Sequence, residues 1–200
     1  MASPRPINNP IEILRTLDRH LDHPVQLVIF GRSAIALGYP NPPEGAEQTE
    51  DIDGIIPTAQ LASVEKDENF WASVSKVNEE LKSSGLFMTH LFQEDQIVLS
   101  PEWETRLVKI NTEFEKVEIY RPSTLDLILT KCMRGKDPED LADIRFLLSV
   151  EPIPVEELRS AFATARMPIP EIAQAVHSVA PEVIKMAGEI ADARTNRATP

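Results

Sequence analysis

Two patterns of apolar residues alternate along the first part of the chain. Short runs rich in β-branched and aromatic residues predict strands, and the first of these runs is Val25–Phe30. Apolar residues spaced three and four apart predict amphipathic helices, one near the start of the chain and one over 67–84. Further strands are predicted from residue 51 onward, at 88–92 and 96–99, and as a pair at 106–111 and 116–121.

After residue 122 the pattern becomes helical. Ser123 is placed to cap a helix over 125–133, and Asp137 with the proline after it opens another that runs to Leu148. More helices are predicted over 155–166 and 169–190, with breaks near Pro168, Pro170 and Pro181, and the last residues, 195–200, are expected to be loose. The chain is therefore predicted to be α/β (α+β), with a mixed sheet flanked by helices over 1–122 and a helical segment over 123–200 that packs on it.

The first chemical feature follows the first strand. Gly31, Arg32 and Ser33 come directly after Phe30, and the good helix formers that follow predict a helix with Ser33 as its cap. Backbone N–H groups at such a turn point outward and bind anions, phosphate above all. The turn is thus a candidate phosphate site.

The second feature is the run that begins at residue 51. Alternate residues of a strand face the same way, so Asp51 and Asp53 project from one face and Ile52 from the other. Two neighbouring carboxylates repel each other and need a cation, and hard oxygen ligands suit Mg²⁺, which commonly takes one or two carboxylates together with substrate phosphates. A phosphate turn beside such a pair is the apparatus of phosphoryl or nucleotidyl transfer.

These features, in this order, resemble the nucleotidyltransferase (DNA polymerase β-like) superfamily, and most of all its small bacterial branch that includes the abortive-infection-type toxins. The likeness covers roughly residues 25–148 and is carried by Gly31-Arg-Ser-Ala-Ile-Ala-Leu37, Thr49-Glu-Asp-Ile-Asp53 and the segment from Lys131 to Leu148. It implies a nucleotidyltransferase-like sheet and transfer of a nucleoside monophosphate from an NTP to an acceptor hydroxyl. Asp51 and Asp53 would hold Mg²⁺ (or Mn²⁺), and Gly31, Arg32, Ser33 and Lys131 would hold the nucleotide phosphates.

The resemblance also directs attention to other positions. The family often uses a third acid from a later strand, and Glu118 is the candidate here as a metal ligand and catalytic residue, with Glu113 and Glu115 as alternatives. Arg32 stands where a second glycine is common, and its side chain either crowds the phosphates or pairs with them. In the resembling toxins an Asp in the region of Asp140 and Asp143 supports activity, but we interpret Asp140 as part of a charged helix face paired with Arg145 or Lys136.

Composition narrows the class of protein and its partners. The 200 residues carry a formal net charge of −12, which argues against broad electrostatic binding to nucleic acid. No apolar run is long enough for a membrane span, and we expect no signal peptide, because no apolar segment follows the first residues. The single cysteine, Cys132, is expected to be buried and inert, and the expected compartment is the cytoplasm.

The sequence leaves several alternatives open for the acceptor, the partner and the function. The acceptor is open between RNA such as tRNA, a protein hydroxyl and a small molecule, and the resemblance adds a cognate antitoxin as a candidate partner. The rival to an enzyme is a catalytically inactive module that keeps the nucleotidyltransferase fold and binds a nucleotide or a partner protein. A sugar-nucleotide glycosyltransferase is disfavoured, because the Gly-Arg-Ser helix precedes the acids.

Overall fold

The computed structural model describes residues 8–198. Among these residues, five strands form one sheet: β1 (Val25–Phe30), β2 (Asp51–Ile56), β3 (Phe87–Gln93), β4 (Val108–Ile110) and β5 (Val117–Arg121). The strand order is β3-β2-β1-β5-β4, so β1 lies at the centre. It runs antiparallel to β2 and parallel to β5, while β3 is parallel to β2 and β4 is antiparallel to β5. The predicted mixed sheet is confirmed.

The strand predicted over 96–99 is wrong. A 3₁₀ turn covers Glu94–Gln96, and beyond it Leu99 makes only an isolated bridge to Arg166. Ile97, Val98 and Leu99 are nevertheless buried, with no more than 3% of each residue exposed. The apolar run therefore reflects burial in the core, and a short apolar run does not by itself distinguish burial from strand pairing.

Alternation along the strands separates two faces of the sheet. One face of the sheet carries the fully buried residues Ile29, Ile52 and Ile119. The helices α1 (Asn9–His20) and α4 (Glu68–Leu81) pack on each other, α1 also contacts β2 and β5, and α4 contacts β3. Asp51 and Asp53 fall in the opposite phase of β2 and are half-buried. The acid pair thus lies on one face, as predicted from the period of two.

Two shorter helices flank these strands. The helix α2 (Gly31–Gly38) starts directly after β1, and α3 (Thr58–Glu65), which the sequence pattern did not indicate, follows β2. Because α2 already begins at Gly31, Ser33 lies inside its first turn, and its predicted role as the cap is wrong.

The end of α1 is tied to the start of β5 by a single carboxylate. Asp18 Oδ1 accepts hydrogen bonds from the backbone N–H groups of Lys116 at 2.7 Å and Val117 at 2.9 Å, and Oδ2 accepts one from Glu115 at 3.3 Å. These contacts join residues almost one hundred positions apart, so no local pattern could predict them.

The remaining helices are α5 (Thr124–Lys131), α6 (Pro138–Val150), α7 (Val155–Thr164) and α8 (Pro170–Ala198). The predicted caps are confirmed, since Ser123 accepts from the backbone N–H of Asp126 and Asp137 accepts from those of Glu139 and Asp140. Pro181 lies inside α8 and does not break it. The buried stripe of α8 continues on both sides of the proline, through Val176, Val179, Val183 and Ala187.

The far end of the chain also differs from expectation. The sequence predicts a loose segment over 195–200, whereas α8 continues to Ala198, and residues 199–200 lie outside the described range. None of the helices within 8–198, including the 29-residue α8, combines the length and apolar character needed to cross a membrane.

By their internal contacts the residues form two compact units. One comprises the chain up to Gln93 together with Val108–Arg121, and it contains the sheet and α1 to α4. The other comprises Glu94–Leu107 and the chain from Pro122 onward, and it contains α5 to α8. The segment 94–107, which the sequence analysis placed with the sheet, groups with the helices.

Candidate functional site

The glycine turn and the acid strand meet at one point of the sheet. Phe30, the last residue of β1, is the Cα partner of Asp53 on β2. Gly31 follows with φ of +68°, a conformation that L side chains rarely adopt, and a Cβ built on it would lie 3.7 Å from Asp53 Oδ2. The carboxylate of Asp53 therefore lies near the first residue of α2.

Asp51 is oriented by a neighbouring hydroxyl. Thr49 Oγ1 donates to Asp51 Oδ1 at 3.1 Å, which gives a structural reason for the threonine in the Thr-Glu-Asp-Ile-Asp motif. Asp51 and Asp53 are both half-buried, while Ile52 between them is fully buried on the other face. The two carboxylates are thus presented together beside the turn.

Ser33 and Arg32 occupy different places from those expected. Ser33 is only 2% exposed, and its hydroxyl donates to the Phe30 carbonyl at 3.0 Å, so it closes the turn and does not face a ligand. The guanidinium of Arg32 lies by the loop before β2, where a Cβ on Gly45 would be 3.8 Å from one of its terminal nitrogens. The Arg32 side chain therefore extends toward that loop.

His90 joins the site from β3, and the sequence analysis did not identify it. It is the Cα partner of Asp53, and its Nδ1 lies 3.5 Å from Asp53 Oδ1. Its imidazole stacks on Phe92, with ring centroids 5.5 Å apart and planes inclined by 22°, and Phe92 meets Phe30 edge to face at 5.7 Å. Asp53 is therefore flanked by Phe30 and His90 on its two neighbouring strands.

Glu118 does not lie with the aspartates. It is the Cα partner of Gln26, four residues before Phe30 on β1, and it sits on the opposite side of β1 from β2. At about 3.3 Å per residue and about 4.8 Å per strand, its Cα is roughly 16 Å from that of Asp53. A hydrogen bond from Lys109 at 3.0 Å, with the charge of that lysine, lowers the pKa of Glu118. The prediction of Glu118 as a third metal ligand has no support in this geometry.

Lys131 lies in the second unit, within a buried charged cluster. Its Nζ is 3.0 Å from Asp140 Oδ1 and 2.7 Å from Asp143 Oδ2, and the exposed fractions of these three side chains are 7%, 3% and 1%. Arg134 Nε contacts Asp140 Oδ2 at 2.6 Å. The partners expected for Asp140, Arg145 or Lys136, are thus replaced by Lys131 and Arg134. The ammonium of Lys131 is held by two carboxylates of its own unit.

The same cluster affects two neighbouring groups. Burial raises the pKa of Asp140, but the hydrogen bond from Arg134 and the charge of Lys131 outweigh it, so the net pKa is lowered. Cys132 is fully buried, as predicted, and burial together with the charge of Asp140 raises the pKa of its thiol to about 12. A thiol with so high a pKa is almost entirely protonated at neutral pH and is a poor nucleophile.

The oxygen donors of the site fit a hard cation that shares its coordination with a substrate. In the described part of the chain, no group of three or more His, Cys, Asp or Glu side chains is arranged to hold a metal ion. Mg²⁺ does not need such a group, because it is commonly bound through one or two carboxylates, substrate phosphates and water. Asp51 and Asp53 supply this partial set next to a helix N-terminus suited to phosphate.

Comparisons with known proteins bear on the same residues. Searches of curated proteins and of solved structures each found no match. One family model does match, over residues 11–179, and this range includes the turn, the acid strand and the helices up to the first third of α8. The resemblance to nucleotidyltransferases drawn from the motifs is confirmed, and the chain belongs to the family described as "nucleotidyltransferase of unknown function (DUF6036)".

Proposed function

We propose that the protein transfers a nucleoside monophosphate from an NTP to an acceptor hydroxyl, with a divalent metal ion as cofactor. A nucleotidyltransferase fold implies a nucleotide substrate. The observation that carries the proposal is the proximity of Asp53 Oδ2 to the start of α2, where a Cβ built on Gly31 would lie 3.7 Å from that oxygen. It puts a carboxylate suited to a cation beside backbone groups suited to phosphate.

The chain's own groups then have separate tasks. The first N–H groups of α2 have no partner within the helix and would bind the phosphates of the nucleotide. Asp51 and Asp53 would hold Mg²⁺ or Mn²⁺, and Thr49 keeps Asp51 in position. The bound metal would neutralise charge that develops on the phosphates during transfer. Positioning and electrostatics of this kind account for most of the catalysis in phosphoryl transfer.

Two residues implied by the resemblance have no part in this proposal. The ammonium of Lys131 is paired with two buried carboxylates, and Glu118 is paired with Lys109 far from Asp53. Glu118 therefore offers a matched control, because Glu118→Gln removes a carboxylate from the same face of the same sheet.

The first test is metal-dependent nucleotide binding. At least one of the four NTPs should raise the melting temperature of the wild type with Mg²⁺ and much less with EDTA, since a ligand at one hundred times its Kd stabilises by about 2.7 kcal/mol. Asp51→Asn and Asp53→Asn should lose this effect, and Glu118→Gln should keep it. In EDTA both Asn variants should unfold in urea no earlier than the wild type, because the shape is kept and a repulsion is removed. Binding that survives in both variants contradicts the proposal.

The second test asks for turnover. The protein is incubated with labelled NTP, Mg²⁺ and cell extract, and the label is sought on RNA, protein and small molecules. Label on any of these, absent with Asp53→Asn, supports the proposed activity. Tight binding without any transfer would instead support the catalytically inactive binding module.

A further inference from the structure

An irregularity in the sheet brings His90 to Asp53. The pairing of β2 with β3 shifts between Ile52, which faces Met88, and Asp53, which faces His90. Residue 89 is therefore an extra residue in β3, and without it His90 would turn to the other face of the sheet. Bulges of this kind re-aim side chains and are common beside active sites.

The side chain that the bulge places beside Asp53 is the imidazole ring of His90 and not another carboxylate. The imidazole of His90 is stacked on Phe92, and its side chain is still 60% exposed. A ring that packs on another ring and is still exposed to solvent offers a surface on which a further flat ring can stack. Because Nδ1 is 3.5 Å from Asp53 Oδ1, a ring on His90 would have its edge beside that carboxylate.

The position of His90 relative to the turn indicates which substrate it meets. Gly31 adjoins Asp53 from the β1 side, and His90 adjoins it from the β3 side. In nucleotidyl transfer the attacking and leaving oxygens lie roughly in line on opposite sides of the phosphorus. With the phosphates at the turn, the pyrophosphate leaves on the β1 side, so the acceptor approaches from the side of His90.

We infer that His90 is the platform for the acceptor, and that this acceptor presents a phenolic hydroxyl, as a tyrosine side chain does. The inference rests on the proposed function. In a phenol the hydroxyl is attached to the ring that stacks, so it reaches the edge next to Asp53. In a nucleoside the hydroxyl is on the sugar, one ring farther away. The net charge of −12 and the acidic Glu44, Glu47 and Glu50 before β2 also disfavour a polyanionic RNA acceptor.

The transfer step balances without an oxidant or reductant. The phenolic oxygen forms a bond to the α-phosphorus, and the bond from that phosphorus to the oxygen bridging to the β-phosphate breaks. Pyrophosphate leaves with the electron pair, and the phenolic proton passes to the solvent. The product is an aryl phosphodiester of the nucleoside.

The test compares small acceptors with the full-length protein, Mg²⁺ and each labelled NTP. N-acetyl-tyrosinamide should take up label, whereas N-acetyl-serinamide and N-acetyl-phenylalaninamide should not. Loss of a single aromatic stack weakens an interaction by up to about tenfold. His90→Ala should therefore raise KM for the tyrosine probe by about three- to tenfold and leave KM for the NTP unchanged. His90→Phe keeps a ring and should recover most of this loss.

His177→Ala serves as the control, because His177 is an exposed histidine on α8. It should behave like the wild type. A second measurement is independent of turnover: the ring signals of His90 in a ¹H–¹³C NMR spectrum should shift on addition of the tyrosine probe and not of the serine probe.

The outcomes separate the inference from the proposed function. Label on RNA or on the serine probe, but not on the tyrosine probe, overturns the inference and leaves the nucleotidyltransferase standing. Equal KM values for wild type and His90→Ala overturn the placement of the acceptor on His90. Failure of every NTP to bind with Mg²⁺ overturns the proposed function and the inference with it.

Discussion

Replacement of Lys131 by methionine should destabilise the protein strongly. The substitution keeps the length of the side chain and removes the ammonium that lies 3.0 Å from Asp140 and 2.7 Å from Asp143. Both carboxylates are almost fully buried, with exposed fractions of 3% and 1%. Removing one partner of a buried ion pair typically costs about 3–5 kcal/mol, because the other charge is left without compensation.

The assay is urea unfolding followed by circular dichroism. With a slope of about 2 kcal/mol per molar urea, the expected loss lowers the midpoint by about 1.5–2.5 M. Lys131→Met combined with Asp143→Asn should recover part of it, because the charge of Asp143 is then removed together with the ammonium, and Asp140 keeps its ion pair with Arg134. Lys185→Met is the control: that lysine is 79% exposed and pairs with Glu189 on the surface, so its loss should cost less than about 1 kcal/mol.

One result would refute the reasoning about Lys131. If Lys131→Met lost less than about 1 kcal/mol and at the same time abolished nucleotide binding, the lysine would serve the phosphates, as the resemblance implied. If burial of the ion pairs is what matters, Lys131→Met should instead lose much of its stability, whether or not a nucleotide is present.

Three further predictions use the same unfolding assay. Gly31→Ala should cost about 1–2 kcal/mol, because its φ is +68°. Gly85 has a φ of +69° with nothing within 4 Å of an added Cβ. Any loss at Gly31 beyond that of Gly85→Ala therefore measures the effect of a Cβ placed 3.7 Å from Asp53 Oδ2. Asp18→Ala should cost about 2 kcal/mol, because backbone N–H groups of β5 lose their acceptor, and equal stability would contradict this. Hydrogen bonds to Asp22, which has the larger effect, and to Asp67 raise the pKa of His23. The charged imidazole therefore stabilises the folded protein fully below about pH 6.5, and this stabilisation is lost as the pH rises through the higher pKa of the folded state. His23→Gln should flatten that dependence.

The parts of the fold that the sequence predicted best are those fixed by local chemistry. The strand Val25–Phe30 is a β-branched run that ends at a glycine, and it is observed with those bounds. Ser123 and Asp137 cap helices because a short polar side chain can accept from an N–H two or three residues ahead. Pro181 misled the prediction, since the burial of the stripe around it offsets the lost hydrogen bond.

In the candidate site, too, the residues that could be predicted are those fixed by local sequence. The proximity of Gly31 to Asp53 was predictable because both motifs are local and the strands beside them are close in sequence. Glu118 was misplaced because its distance from Asp53 depends on the order of strands, which a period of two does not reveal. His90 was missed because a single extra residue in β3 decides the face on which it lies.

Two of the aspartate pairs in the chain differ in what neutralises their charge. Asp140 and Asp143, three apart on α6, share a helical face and meet cations from their own unit, so their charges are neutralised inside the protein. Asp51 and Asp53, two apart on β2, are only half-buried and lie beside the helix start that we propose binds phosphate. Neutralising charge should therefore act in opposite ways. At Lys131 it should cost stability, and at Asp51 or Asp53 it should cost nucleotide binding while stability is kept.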